Sequence, residues 1–514
     1  MKGQLFATKS LNQLLDEMAG ENRLRRVLGP VQLTSLGVGA IIGAGIFVAT
    51  GAAAHNVAGP ALMLSYVVAG ITCVFAALCY AEFASMVPVA GSAYTYAYAT
   101  LGELVAWIIG WDLVLEYAVG AATVANGWSG YFQSVLTKFG VQLPAALSGP
   151  PIVYDTAAGH FVNTAGVVNL PAILIVALIT FVLVKGIQES ASFNASMVFL
   201  KVTAVVFVIL VGAFFVDPGN WKPFAPFGMT GVSLFGHTLA GQVNAGGQPV
   251  GMIAGAAIIF FAYIGFDSVS THAEEARLPK RDVPIGIIAS LLICTVLYIA
   301  VVAVLTGMVR YDRLSVDAGV SDAFKQAGLP WAEFIIAAAG VAGITSVLLV
   351  LMLSGPRVFL AMARDGMLPP GFFAEVHPRF RTPWKSTILV GAFVSVLTGF
   401  LPIDALLHLA NIGTLFAFLI VCAAVLIMRK TNPQAERPFR APFYPFVPIL
   451  GILTCLLLMF SLPPENWYRL LGWMVLGLVV YFSYGYRHSV LRQRNPAMDS
   501  SGAVVGAAGG ARRL

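Results

Sequence analysis

Residues 34–54 read TSLGVGAIIGAGIFVATGAAA, an apolar stretch long enough to cross a bilayer but punctuated by Gly37, Gly39, Gly43, Gly45 and Gly51. A helix that only spans lipid has no use for this pattern, since glycine costs roughly 1 kcal/mol relative to alanine in a helix interior. Gly43-Ala44-Gly45, near the middle, therefore predicts a break into two half-helices. Such a break exposes backbone groups at membrane depth. Carbonyls near Ile41 and Ile42 would face a cation, and amides near Ala44 and Gly45 an anion. An α-amino acid carries both charges. The competing reading is a glycine-lined face for close helix packing.

Working outward, 514 residues that are 58% hydrophobic and 11% charged exclude a soluble domain and point to a polytopic membrane protein. Cys73, Cys79, Cys294, Cys422 and Cys455 are scattered through apolar segments without metal-ligand spacing, so they are expected to be free core residues. The first 33 residues are polar and lack a short apolar run ending in a cleavage site, so no removable signal peptide is expected. Ser10 with Gln13 resembles a capping box, and Leu11, Leu14, Leu15 and Met18 fall on one face of a short helix expected at the membrane surface.

Eleven further apolar segments follow, near 60–86, 94–133, 166–184, 193–216, 250–272, 284–308, 331–363, 385–401, 403–428, 446–462 and 467–486. The expected fold is all-α with 12 transmembrane helices. Segment three is long and tilted, the loops 137–165 and 217–248 are rich in proline and glycine, and GAVVGAAGGARRL at the end is of low complexity. With the N-terminus cytoplasmic, 22 lysines and arginines fall on the cytoplasmic side and 6 on the other, which predicts both termini inside. The net charge of +6 is explained by this topology rather than by nucleic acid.

An inverted repeat of five plus five spans requires segment six to be broken like segment one. Its sequence, GMIAGAAIIFFAYIGFDSVSTH at 251–272, places Gly265 among aromatics and an acid near the middle. GAIIGAGIFV (39–48), YAEFASMVPVAGSAYTY (80–96), FFAYIGFD (260–267) with EEARLPKRDVP (274–284), and PRVFLAMARDGMLP (356–369) together resemble the amino acid-polyamine-organocation transporters, most nearly their cationic amino acid transporter branch. The resemblance runs in order over roughly residues 30–490.

That resemblance implies a LeuT-type 5+5 inverted repeat with helices 1 and 6 broken, followed by two C-terminal helices. Its division of the chain is 1–33, cytoplasmic tail with the interfacial helix; 34–216, first repeat; 217–428, second repeat with its preceding loop; 429–490, helices 11 and 12; and 491–514, a disordered cytoplasmic tail. Substrate would lie between the breaks, flanked by segments three and eight. Its carboxylate would meet the amides of Ala44 and Gly45 beside Gly43, and its amine the carbonyls of Ile41, Phe261, Ala262 and Ile264. Phe266 is similar to the family's aromatic lid over the outer path, with packing against segment one as the alternative.

Charges inside spans need a reason, because each costs at least about 2.5–3.5 kcal/mol at the bilayer centre. Glu116, with Asp112 one turn before it, is a candidate contact for the substrate amine, or a structural hydrogen-bonding group. Asp267 is a second such candidate, or a cap for the second half of segment six. Glu82, Glu103 and Arg357 lie toward the cytoplasmic ends and are expected to be structural. Lys201 stands about 12 Å into segment five at 1.5 Å per residue, where snorkelling is the plain alternative. Its position matches the family lysine that replaces a sodium ion, which makes it the expected proton-coupling residue. Thr345-Ser346 on segment eight keeps sodium coupling as the second possibility.

Dispersed histidines and the absence of a phosphate loop or nucleophile motif argue against an enzyme, and no filter-like loop suggests a channel. The expectation is a secondary active amino acid permease of the plasma membrane (the inner membrane in a bacterium), coupled to protons, with no cofactor or metal. The expected partners are an amino acid, the proton and the lipid bilayer. Sodium-coupled or exchange transport, and a non-transporting amino acid sensor, are the alternatives. Leu348, Leu349 and Leu351 favour a small neutral side chain over a cationic one.

Overall fold

The computed structural model describes residues 5–9, 28–87, 92–155, 160–185, 190–234, 237–244, 247–316, 319–380 and 382–494. The interfacial helix expected around residues 10–18 and the low-complexity end both lie outside them. Pro30 opens the first helix, α1 (Pro30–Ile41), at a position where a missing N–H costs nothing, and Gln32 Oε1 accepts from the Gly29 amide at 3.1 Å. The bundle continues with α2 (Leu62–Met86), α3 (Glu103–Lys138), α4 (Leu170–Lys185), α5 (Ser190–Gly212), α6 (Met252–Ile259) and α7 (Pro279–Met308). Then come α8 (Pro330–Arg364), α9 (Trp384–Phe400), α10 (Ile403–Thr431), α11 (Phe446–Phe460) and α12 (Pro464–Val480).

Among the described residues seven stretches are long and apolar enough to cross a membrane, and Pro30–Met86 is one of them although it contains both α1 and α2. The chain is a polytopic helical membrane protein. At its centre α3 packs on α8 and α10, while α7 packs on α1 and α2. All five cysteines are buried and free.

Segment three differs from its expected single helix. A short helix, Ser92–Thr100, is separated from α3 by Gly102, whose φ of +98° is open to glycine at little cost. A Cβ there would come within 2.5 Å of the Phe6 backbone. The loops after α3 and α5 contain short antiparallel hairpins, Ile152–Asp155 with His160–Asn163 and Val232–Leu234 with His237–Ala240. Strands this short show no readable alternation.

The end of the bundle where residues 5–9 and 485–494 lie is closely tied. Leu28 pairs with the backbone at Glu275 and Arg277 (3.0 and 2.8 Å). Lys9 bonds Asp365 at 2.9 Å, and Glu103 accepts from Tyr98, Tyr481 and Ser489. Glu82 is held by Arg429 at 2.9 and 2.6 Å, and Arg357 reaches Glu275 at 3.3 Å. The structural roles expected of Glu82, Glu103 and Arg357 match these contacts. At the hairpin end a cavity of about 680 Å³ opens between Val48, His55, Asn126, Gln133 and Asn169.

Candidate functional site

α1 stops at Ile41, Ile42 turns extended (φ −72°, ψ 102°), and the second half starts at Gly45 as a π-helix, Gly45–Ala49. Segment six interrupts in the same way: α6 gives way to a 3-10 turn over Phe260–Tyr263, Ile264 is extended, and Gly265 has φ +119°. The two interruptions touch. A Cβ on Gly45 would collide with the Ala262 backbone, and one on Gly265 would lie 2.9 Å from the Ala40 carbonyl oxygen. Gly45 thus serves close packing as well as the break, so the two readings of segment one describe one geometry.

Ending a helix inside the protein leaves carbonyls without intrahelical donors. Lys201 Nζ donates to two of them, Gly39 at 2.6 Å and Ile42 at 3.0 Å, from a fully buried position. Its amine stands where the C-terminal end of α1 is partially negative. The snorkelling alternative does not fit an amine bonded inward. Gly343 of α8 closes the third side, since a Cβ there would be 3.2 Å from Lys201 Cβ.

Tyr298 of α7 supplies a contact the sequence reading missed. Its hydroxyl lies 2.8 Å from the Ile41 carbonyl and 3.1 Å from that of Ala262, so one proton is shared between the breaks. Two of the carbonyls assigned to a substrate amine therefore already face a donor, and the Phe261 carbonyl accepts from the Ile264 amide at 3.2 Å. Val347 of α8 was also missed: a Cβ on Gly43 would meet its side chain at 2.7 Å, so this residue walls the break of segment one.

Asp267 Oδ2 accepts from Tyr117 of α3 at 2.7 Å, while Oδ1 accepts from the Gly265 amide at 3.3 Å. This is a brace across its own break, and the side chain makes no capping hydrogen bond to the short helix Ser268–Thr271 that follows. Glu116 and Asp112 are buried, and their carboxyl oxygens have no hydrogen-bond partner among the described residues. Asp112 lies against α10, where a Cβ on Gly413 would be 2.9 Å from Oδ1.

Phe266 is fully buried. It follows the break on the side away from the cavity, and its ring packs 4.9 Å from Phe418 and 6.0 Å from Tyr80. Its ring is buried between α2 and α10. The hydroxyl of Thr345 donates to Val341 at 2.7 Å and accepts from Trp128 of α3 at 2.9 Å. It is thus turned toward α3 rather than toward Lys201.

Two interrupted helices meet inside an apolar helical bundle, with a buried lysine amine at one helix end, an arrangement suited to a membrane transporter. A family model described as amino acid permease matches residues 28–480. The methylthioribose transporter of Bacillus subtilis (strain 168) is 45% identical over 95% of this chain and 99% of its own. From the same organism, the branched-chain amino acid permease BcaP is 46% identical over 96% and 100%. Human cationic amino acid transporter 4 is 30% identical over 97% and 93%. The chain belongs to the amino acid permease family, within the amino acid-polyamine-organocation superfamily.

Proposed function

We propose that this chain is a proton-coupled amino acid permease of the plasma membrane, working by alternating access in a 12-span, 5+5 inverted-repeat bundle with both termini cytoplasmic. The observation that carries the coupling is Lys201 Nζ between the carbonyls of Gly39 and Ile42. Protonated, it joins α5 to the end of α1. Deprotonated, it loses the charge that faces those oxygens. A ligand shifts a conformational equilibrium only by its differential interaction with the two states, and this proton offers such a difference.

The substrate backbone would be read at the breaks, by the amides of Ala44 and Gly45 and the carbonyls around Ile41, Phe261, Ala262 and Ile264, with Glu116 as a further candidate for the amine. Val347 beside Gly43 supports an apolar side-chain pocket. A relative named for branched-chain amino acids fits that chemistry better than those named for cationic ones. The test is competition in reconstituted vesicles: alanine, valine or leucine should displace a labelled neutral substrate at least as well as arginine does. Arginine transport without competition by any of the three would reverse the assignment. Sodium coupling remains the second reading, resting on Ser346 near Gly343 (3.0 Å to its carbonyl).

A further inference from the structure

At the end of the bundle where residues 5–9 and 485–494 lie, α7 carries a groove of about 500 Å³ on the face turned away from the breaks. Arg281, Ile285, Ile288 and Leu292 fall on one stripe at helical spacing, and Pro438 with Phe439 forms the facing wall. The opposite face of α7 packs on α1, Gly286 against Leu33 and Ser290 against Gly37. Ile285 and Leu292 are 39% and 50% exposed, so the stripe is open to the surroundings. The far wall is fixed: the Phe439 amide donates to Ser85 Oγ of α2 at 3.2 Å. One end of the groove is apolar and the other carries Lys280 and Arg281. Lys280 is 3.3 Å from Glu436, while Arg281 has no acidic partner among the described residues.

We propose that this groove binds one anionic phospholipid of the adjacent leaflet. Its phosphate sits at Lys280 and Arg281, and one acyl chain runs along Ile285, Ile288 and Leu292 against Phe439. Length and charge both select this occupant. From Arg281 to Leu292 the helix rises about 16 Å at 1.5 Å per residue, close to half of a roughly 30 Å hydrocarbon core. Basic side chains at the membrane surface attract anionic headgroups, and the two cations outnumber Glu436. A second copy docking through the same patch would bring its own Lys280 and Arg281 against these cations.

The full chain, reconstituted in nanodiscs of equal phosphatidylglycerol and phosphatidylcholine and released for native mass spectrometry, tests this without reference to transport. The wild type should retain one phosphatidylglycerol in at least several-fold preference to phosphatidylcholine. The double change Lys280→Gln, Arg281→Gln should abolish the preference. Leu292→Trp, which fills the groove and leaves the charges in place, should reduce retention of the lipid. All three positions are exposed, so the variants should stay monodisperse and folded. Equal retention of the two lipids by the wild type, unchanged phosphatidylglycerol in either variant, or dimers that form through this face with no lipid bound would overturn the proposal.

Discussion

Lys201 and Tyr298 answer the same need by different routes: a helix that ends inside the protein must give its last carbonyls a donor. The lysine was legible because a charge on an otherwise apolar span needs a reason. The tyrosine was not, since it is one aromatic among many on a long apolar helix and only the tertiary approach of α7 singles it out. Tyr298→Phe removes the shared proton from two buried carbonyls, a loss of roughly 1–3 kcal/mol. The expected result is about fivefold or greater loss of substrate affinity and a lower melting temperature, measured by radioligand binding and by thermal unfolding in detergent. Wild-type affinity would remove Tyr298 from the site. Glu116 and Asp112 stood out for the same reason as Lys201, but position alone could not say that Asp112 lies against α10 or that neither carboxyl has a hydrogen-bond partner among the described residues.

At the scale of elements, glycine spacing foretold both interruptions but not that they touch. Gly45→Val illustrates the consequence. A branched side chain drives into the Ala262 backbone, so the expected outcome is loss of binding together with lower thermal stability, whereas a purely local binding defect would leave stability unchanged. Segment three was read as one helix because its apolar run continues through Leu101. Only the positive φ of Gly102 and the Phe6 backbone packed against it divide that run. The contact of Glu82 with Arg429 ties α2 to α10, with the carboxylate buried and the guanidinium partly exposed. Glu82→Ala should cost about 1–3 kcal/mol, since Arg429 is partly exposed and keeps its bond to the Ala441 carbonyl, read as a lowered midpoint in thermal unfolding; a midpoint equal to wild type would mean the pair contributes no net stability.

For the whole molecule, the 22 to 6 partition of basic residues makes a direct prediction about sidedness. The five native cysteines are buried, so single introduced thiols can be labelled against a low background. Lys222→Cys should react with an impermeant maleimide on intact cells, and Glu436→Cys only after permeabilisation; the reverse pattern would invert the topology. The hairpins were invisible in the sequence, yet they mark the end where the cavity opens, while the other end is tied by Leu28, Lys9 and Glu103. In the proposed cycle those ties must loosen when the bundle opens inward, and the protonation of Lys201 biases that change. The most direct measurement is accumulation of a labelled neutral amino acid in proteoliposomes at clamped membrane potential in sodium-free buffer, with and without an inward proton gradient. The wild type should concentrate substrate only with the gradient. Lys201→Ala should still bind substrate but fail to concentrate it, and Lys201→Arg should fail too, because a guanidinium does not release its proton. Accumulation that requires added sodium, or a full response to the proton gradient in Lys201→Ala, would contradict the account.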